Sequence, residues 1–547
     1  METKTIGERI IKASVAVFIA HLCFKVVGFA QFFVIGGITE TVQWECIYGF
    51  AFDGVIFSLF LIGEELIGPA FLPLFIDEKE KKSEEAAWLL ANTLLTCQLI
   101  ILCIAVLVLY LFPETLTRWI TYFDADKKKE NFQLAVQGVK LMAPALICFS
   151  LGSTTYMLLN GYKKFFLAAF GDAVWKAFVL ISVVVGVSFL GFTWKALVFG
   201  IVVGSVTKLI THLIGLVRQL HFFRPSFHVN NPAFKTMLIL MLPLLIGIVF
   251  AKGRDFYNNI TVLSSLETDG LIKANAYGRK LFQAFGMIVP YTLSIAMFPF
   301  FCDLVSKDNK EKLGEILTIS GRMLLVLFVP IALVVVVYGP ELVKLLVMGK
   351  FSDEDARLAG ISMACYTLVL PAYGLEMLLM QAFFAKKRTY MITFVGMTFS
   401  GLSILISYLG IIKFGAKGAT ALIVIAAGYV LCRTLKTAVL LGLLKRSVPM
   451  FKWKESCSFF IRLAIVGVTA AAVTWLVFHM FDAGLGIPKG KSMLMLKLIL
   501  GGGMAAIAFL AGTTLLKIKE PVEMWNWGLK KLKRSHPTGL SETDGQG

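Results

Sequence analysis

The sequence predicts an all-α polytopic membrane protein with fourteen transmembrane helices, and three observations lead to that class. Apolar side chains make up 57% of the 547 residues, whereas charged side chains make up 16%. The mean hydropathy of +0.79 is too high for a soluble domain. Apolar runs of about 20 residues or more, the length that a helix needs to cross a bilayer, recur from end to end.

The predicted spans follow one another with short polar connections, and most of the cations lie in those connections. In order, the spans lie at residues 10–36, 44–76, 84–112, 133–160, 165–191, 194–217, 236–266, 270–302, 313–338, 355–385, 389–412, 416–444, 457–482 and 492–516. Loops on the N-terminal side of the membrane carry most of the Lys and Arg, with Lys127 to Lys129 as the exception. This positive-inside pattern predicts cytoplasmic N- and C-termini, and it explains the formal charge of +18 without a nucleic-acid partner.

Two sequence features repeat at nearly the same offset. Ala70 to Leu90 and Ala296 to Leu317 both run from an apolar segment through a Pro and an acid to a lysine-rich loop, and NGYKKFF at 160–166 is echoed by FFAKKRTY at 383–390. A six-helix unit repeated in the same orientation would place a central cavity between two lobes. We therefore expect a parallel pseudo-repeat followed by two further helices. The predicted domains are an N-terminal lobe at 1–225, a C-terminal lobe at 226–447, the last two helices at 448–518, and an amphipathic and disordered cytoplasmic tail at 519–547.

Ionisable side chains inside the predicted spans are the candidate functional residues. A charge at the bilayer centre costs about 2.5 to 3.5 kcal/mol on insertion scales, so such groups normally face a partner or a water-filled cavity. Their excess of cations suits a phosphate or diphosphate ligand. The predicted substrate-binding residues are Lys25, Glu64, Lys252, Arg254, Asp255, Arg279 and Lys280, with Asp53, Arg322 and Glu376 as weaker members.

Other polar residues in the spans have structural interpretations. Asp172 and Lys176 are four residues apart on one helical face, as are Lys208 and His212, which favours structural pairs. Lys273 is close enough to a helix end for its long side chain to reach the membrane surface.

An enzyme is a weaker alternative. Asp124 and Asp126 have the spacing of a metal-binding pair in membrane glycosyltransferases, but they lie in a charged loop, where solvated side chains are common. The chain has no glycine-rich phosphate loop and no zinc-ligand spacing, and its nine cysteines form no CxxC pair. We therefore expect no catalytic site, no metal and no cofactor.

Four short segments carry a family resemblance. Phe24 to Phe32 is similar to the motif S-R-x-x-G-x-x-R-D, and Glu64 with Ala70 to Pro73 is similar to E-G-A-F-x-x-A-F-x-P. Ala276 to Leu281 resembles Y-Y-A-D-R-L, and Gly349 to Asp355 resembles G-x-F-x-x-x-D. In this order and spacing the segments resemble the MurJ (MviN) family of lipid II flippases, within the multidrug/oligosaccharidyl-lipid/polysaccharide exporter superfamily.

The resemblance implies a fold and an activity. It implies fourteen helices in two six-helix lobes with an inward-opening cationic cavity, and a lipid-tail groove formed by the last two helices. It also implies alternating-access flipping of the undecaprenyl-diphosphate-linked peptidoglycan precursor across the bacterial cytoplasmic (inner) membrane. The partners expected from it are this lipid-linked oligosaccharide diphosphate and the membrane, with the protein as a monomer. Coupling to the membrane potential or to an unidentified ion is expected in place of a cofactor.

The sequence departs from the family motifs at several charged positions. Gln31 and Phe32 occupy the places of the family's first-helix Arg and Asp, and Leu59 occupies that of a second-helix Arg. The carboxylate that some members carry for sodium is absent from TFVGMTFSGLSILIS in the eleventh predicted span. The diphosphate would then depend on Lys25, Lys252, Arg254 and Lys280, with Glu64 and Asp255 holding the cations when the site is empty.

Three alternatives stay open at the level of sequence. One is a flippase for another undecaprenyl-diphosphate-linked oligosaccharide, such as an O-antigen or polysaccharide precursor. Another is a family member that has lost transport. A multidrug antiporter of the same superfamily is disfavoured, because cationic drugs favour an acidic cavity and the predicted cavity is basic.

Overall fold

The computed structural model describes residues 26–122, 128–286, 297–298, 301–347, 349, 351–386, 388–484 and 490–521. Every regular element in these ranges is helical. We number the helices along the chain: α1 Val26–Ile38, α2 Thr41–Lys81, α3 Glu84–Leu111, α4 Pro113–Ile120, α5 Lys129–Gly161, α6 Phe165–Ser188, α7 Trp194–Gly215, α8 Pro232–Ser264, α9 Leu271–Gly286, α10 Lys310–Leu346, α11 Asp353–Thr367, α12 Leu370–Ala385, α13 Tyr390–Lys413, α14 Gly418–Lys445, α15 Trp453–Gly484 and α16 Lys491–Leu515.

Eleven of these helices are long and apolar enough to cross a membrane, and each coincides with one predicted span. A twelfth predicted span corresponds to α11 and α12, which form a pair bent by 45°. The remaining two predicted spans, 10–36 and 270–302, lie partly outside the described residues. The all-α polytopic class is therefore confirmed, and the count of fourteen stays a prediction.

Local sequence explains where several helices begin and change geometry. Ser83 caps α3, since its hydroxyl accepts a hydrogen bond from the Ala86 amide at 3.2 Å. Asn231 caps α8 in the same way, and Pro232 occupies the first turn, where no amide donor is needed. In α2, Trp44–Phe57 is π-helical, a geometry that is frequent at functional sites.

The described chain divides into two compact units. The first unit comprises the residues up to Tyr277 together with Leu346–Ala359 and Gly396–Gly428, and the second comprises the other described residues from Gly278 onwards. The domain boundaries predicted from the repeat stay a prediction.

In the first unit, an aromatic cluster joins α1, α2 and the start of α9. The Phe32 ring packs against Trp44, Tyr48 and Tyr277 with ring centroids 4.5 to 5.9 Å apart. The Tyr277 hydroxyl donates to the Phe32 carbonyl at 2.9 Å. A Cβ at Gly36 would lie 1.5 Å from that hydroxyl, so only glycine permits this approach.

A second core of the first unit lies at the far end of α2. Phe71 and Phe75 are fully buried there, with Trp88 of α3 and Phe234 of α8 in the same cluster. In the second unit, α10 packs on α15 through a smaller cluster that includes Leu325 and Leu463. These cores hold the helices whose polar side chains form the sites described next.

Candidate functional site

A deeply buried ion pair of the first unit joins α6 and α7. Lys208 Nζ lies 2.7 Å from Asp172 Oδ1, and the two side chains are 1% and 20% exposed. The Lys208 ammonium also lies 4.8 Å from the centroid of the Phe60 ring. His212, one turn further along α7, has its ring nitrogens within 3.1 Å of the Gly152 and Ala168 carbonyl oxygens. This pair therefore belongs to a packed and hydrogen-bonded region.

A more exposed ion pair joins α2 and α8. Lys252 Nζ lies 2.7 Å from Glu65 Oε1, with side-chain exposures of 21% and 47%. The half-buried Glu64 carboxyl is within electrostatic range of Lys208, Asp172, Glu65 and Lys252. A chain of charges thus runs from the buried pair to the exposed one through Glu64.

Arg254 and Asp255 form a third pair on α8. Arg254 Nη2 lies 2.7 Å from Asp255 Oδ1, and both side chains are about one-fifth to one-third exposed. Arg254 Nη1 also lies 3.4 Å from the Ser400 hydroxyl of α13. One turn further along, the Asn258 amide donates to Ser403 Oγ at 2.9 Å. Polar contacts therefore join α8 to α13 at this level.

The predicted site residues have different outcomes. Glu64, Lys252, Arg254 and Asp255 lie in the first unit, and Lys252 pairs with Glu65 rather than with Glu64. Arg279 and Lys280 belong to the second unit and have interaction partners of their own. Lys25, like the aspartates 124 and 126 of the enzyme alternative, lies outside the described residues. The assignment of all seven residues to one substrate site stays a prediction.

Two of the residues that depart from the family motif, Gln31 and Phe32, are buried in the protein core. Phe32 is 5% exposed and belongs to the aromatic cluster described above. Gln31 is 1% exposed, and its Nε2 has no hydrogen-bond partner among the described residues. A buried amide side chain, Gln31, therefore replaces the Arg of the motif, and a packed aromatic ring, Phe32, replaces its Asp.

The second unit contains a charged cluster of which only one member, Glu376, was predicted from the sequence. The Glu376 carboxylate on α12 is 2.5 Å from Arg433 Nε and 2.8 Å from Lys436 Nζ, both on α14. The Glu376 side chain is 2% exposed, and the two cations are about one-fifth exposed. The Arg433 guanidinium lies 4.4 Å from the Tyr373 ring centroid and also contacts the Tyr429 hydroxyl. The sequence-based prediction did not include Arg433 and Lys436. Both are ionisable side chains inside the predicted span 416–444, which is the criterion that selected the other candidates.

The structure extends one structural expectation and corrects another. Asp172 forms its close ion pair with Lys208 of the next helix, because the two helices pack side by side, and Lys176 of its own helix also acts on its charge. The Lys176 side chain also extends towards α1, where a Cβ at Gly28 would lie 2.8 Å from its Nζ. Lys273 does not reach the membrane surface: it is 0% exposed, and its amide donates to Glu45 Oε1 at 3.0 Å.

Within the described residues, no group of three or more His, Cys, Asp or Glu side chains could hold a metal ion. The arrangement of both units is one of paired charges buried within membrane-spanning helices. This architecture defines a class: a polytopic, all-helical membrane protein with ion pairs at membrane depth.

Comparison with known proteins identifies the family. The family model described as "Lipid II flippase MurJ" matches residues 46–489. The chain is 26% identical over 489 residues to "Probable lipid II flippase MurJ" of Rhizobium meliloti (strain 1021), covering 85% of this chain and 87% of the relative. It is 24% identical to the protein of the same name from Borreliella burgdorferi, covering 65% and 69%. The chain belongs to the MurJ family.

Solved structures agree on the fold. "Lipid II flippase MurJ, inward closed conformation" superposes with a TM-score of 0.72 at 17% identity, covering 92% of this chain and 98% of that one. An inward-facing multidrug resistance MATE family transporter of the MOP superfamily superposes with a TM-score of 0.65 at 12% identity, covering 78% and 98%. At these identities the likeness concerns the fold alone. The chain is therefore a multi-pass membrane protein with the fold of MOP-superfamily transporters.

Proposed function

We propose that this protein is a flippase that carries lipid II, the lipid-linked peptidoglycan precursor, across the bacterial inner membrane by alternating access. Membership of the MurJ family over residues 46–489 is the observation that carries the proposal. The residues of the chain give it a physical basis, because cations at membrane depth suit a diphosphate headgroup. Both termini are proposed to be cytoplasmic, and no catalytic step is part of the proposal.

The exposed ion pairs of the first unit provide a binding mechanism. Lys252 and Arg254 already hold carboxylate partners, Glu65 and Asp255, at 2.7 Å. A substrate diphosphate would replace these carboxylates as the partner of the cations. The cations would then be compensated in both the empty and the loaded protein, which limits the cost of keeping them in the membrane. Lys25, Arg279 and Lys280 are proposed as further cationic contacts of the diphosphate. Glu64 and Asp255 are proposed as the acids that hold the cations when the site is empty.

Transport requires that the substrate bind the two access states unequally. A ligand shifts a conformational equilibrium only by the difference between its affinities for the two states. We propose that the number of cations that reach the diphosphate differs between the inward-open and outward-open states. The membrane potential or an ion would bias the cycle.

Complementation in cells tests the site. Bacteria depleted of their essential lipid II flippase should grow with the wild-type protein and fail with Lys252→Ala, Arg254→Ala or Lys280→Ala, provided that the variants reach the membrane in equal amounts. Lys81→Ala is the matched control, because Lys81 forms an exposed pair with Asp77 at a helix end. Full growth with all three variants would exclude these cations from the site.

A second candidate substrate is another undecaprenyl-diphosphate-linked oligosaccharide. Phe32, Gln31 and Leu59 favour this alternative, because each replaces a charged residue of the family motif. Vesicles containing the purified protein distinguish the substrates. Under this alternative, a different lipid-linked glycan would be flipped at least as fast as lipid II.

A further inference from the structure

A pocket separate from the intramembrane charges lies where three helices of the first unit end or begin. It has a volume of about 620 Å³ and is formed by the C-terminal end of α2, the C-terminal end of α5 and the start of α6. Its lining includes Leu72, Ile76, Lys79, Tyr162 and Lys163. The volume falls within the range of about 300 to 1,000 Å³ that is typical of small-molecule sites.

The lysines of the pocket differ from the other lysines at the same helix end. Lys81 and Lys82 are each paired with an acid one turn earlier in α2, at 2.9 Å. Among the described residues, neither Lys79 nor Lys163 has a carboxylate partner. The Lys79 ammonium instead lies 3.9 Å from the centroid of the Tyr162 ring. Two cations without a carboxylate partner in the described part of the chain therefore lie on the pocket lining, where they can bind an external anion.

The wall that carries these lysines is held in place. The Tyr162 hydroxyl donates to the Glu84 carboxylate and accepts a hydrogen bond from Trp88 Nε1 at 2.7 Å. Burial, together with the hydrogen bond to Glu84, raises the pKa of Tyr162, so the hydroxyl stays neutral and keeps donating. The nearby Lys164 ammonium is fixed differently, by the Gly215 carbonyl at 2.8 Å and Gln219 Oε1 at 3.0 Å. The pocket is thus preformed.

The position of the pocket suggests what occupies it. It lies at helix ends, hence at the membrane surface, and on the side where the loops carry most of the Lys and Arg. Basic pockets between transmembrane helices at such a surface bind phospholipid headgroups. Leu72 and Ile76 provide apolar contacts of the kind that the glycerol and first acyl carbons of a lipid need. Glu80 also lines the pocket, so the pocket has a small net positive charge.

We propose that this pocket binds an anionic phospholipid from the surrounding bilayer, with Lys79 and Lys163 donating to its phosphodiester. The lipid would tie α2 to the turn between α5 and α6. The proposal is independent of the transported substrate, since none of its residues belongs to the charged chain of α2, α6, α7 and α8.

Lipid binding to the purified full-length protein in detergent tests the proposal. Thermal unfolding is followed while phosphatidylglycerol or phosphatidylcholine is titrated into the micelles. The wild-type protein should be stabilised by phosphatidylglycerol well above phosphatidylcholine. Lys79→Gln combined with Lys163→Gln should weaken phosphatidylglycerol binding about tenfold or more, because two charge-assisted hydrogen bonds are lost. Lys81→Gln combined with Lys82→Gln is the matched control and should keep the wild-type preference.

A further variant and a soluble ligand distinguish binding in the pocket from a general attraction of anionic lipid to the basic surface. Ile76→Trp fills the pocket without changing charge and should also remove the preference for phosphatidylglycerol, which keeps the test decisive if the double lysine variant folds poorly. Equal stabilisation by the two lipids would overturn the proposal. The same would follow if the control double variant lost the preference, or if soluble glycerol phosphate stabilised the protein as well as the lipid did.

Discussion

The two units compensate their buried charges differently. In the first unit, Lys208 and Asp172 match one cation with one anion, and the cation is 1% exposed. In the second unit, Glu376 serves two cations at once, Arg433 and Lys436, and the carboxylate is the most buried member. The first arrangement has no net charge, whereas the second has a net positive charge.

This difference determines which residue each cluster depends on. Removing one member of a matched pair leaves a single uncompensated charge, whichever member is removed. Removing the shared carboxylate leaves two cations that also repel each other, whereas removing one cation leaves a neutral pair. Burial strengthens both effects, because a buried charge without a partner keeps the full cost of its desolvation. The second unit should therefore be far more sensitive to loss of its anion than to loss of a cation.

The largest expected effect is that of Glu376→Gln. Breaking a buried ion pair by removing one partner costs about 3 to 5 kcal/mol, and we expect the upper end here because two cations lose their partner. The free energy of unfolding in detergent is the measurement. Lys436→Gln, on the same cluster, should cost less, about 1.5 to 3 kcal/mol, the range of a hydrogen bond to a charged group. Equal losses for the two variants would contradict the shared-carboxylate interpretation.

Asp172→Asn should have the next largest effect, near 3 kcal/mol, because Lys208 is left buried without its anion. Adding Lys208→Met to this variant should restore most of the stability, since an apolar replacement of a whole buried pair is often neutral. A double-mutant cycle measures the coupling between the two sites. If the double variant were less stable than Asp172→Asn alone, Lys208 and Asp172 would not be the matched pair described here.

The fold was largely predictable from sequence, and the partners of the charges were not. Each span needs about 20 apolar residues, so hydropathy alone located the eleven spans that the described residues confirm. Spacing along one helix paired Asp172 with Lys176, but the packing of α6 on α7 brings Lys208 to that carboxylate. The rotation of one helix against its neighbour depends on side-chain packing over its whole length, which periodicity does not determine.

Candidate residues were missed for a related reason. Arg433 and Lys436 are visible as cations inside an apolar run, but their importance comes from Glu376 on a helix that precedes them by more than one span. Lys273 illustrates the opposite error. Its closeness to a helix end suggested an exposed ammonium, yet the start of α9 packs into the first unit, with Glu45 accepting from its amide. In both cases the decisive contact joins residues that are far apart in sequence.

The smallest effect is expected at the exposed pair of the first unit. Glu65→Gln should change the free energy of unfolding by no more than about 1 kcal/mol, because Glu65 is 47% exposed and, in the water-filled cavity that the proposed function requires, water can solvate Lys252 when the carboxylate is lost. The same measurement on Lys81→Gln, which breaks an exposed pair at the end of α2, gives the reference. Breaking such a weak ion pair costs little free energy. A ligand can therefore replace Glu65 as the partner of Lys252. A loss of more than about 2 kcal/mol in the free energy of unfolding is well beyond the usual value of exposed pairs. It would make Glu65 a structural partner of Lys252 and would contradict the proposal that a ligand replaces Glu65.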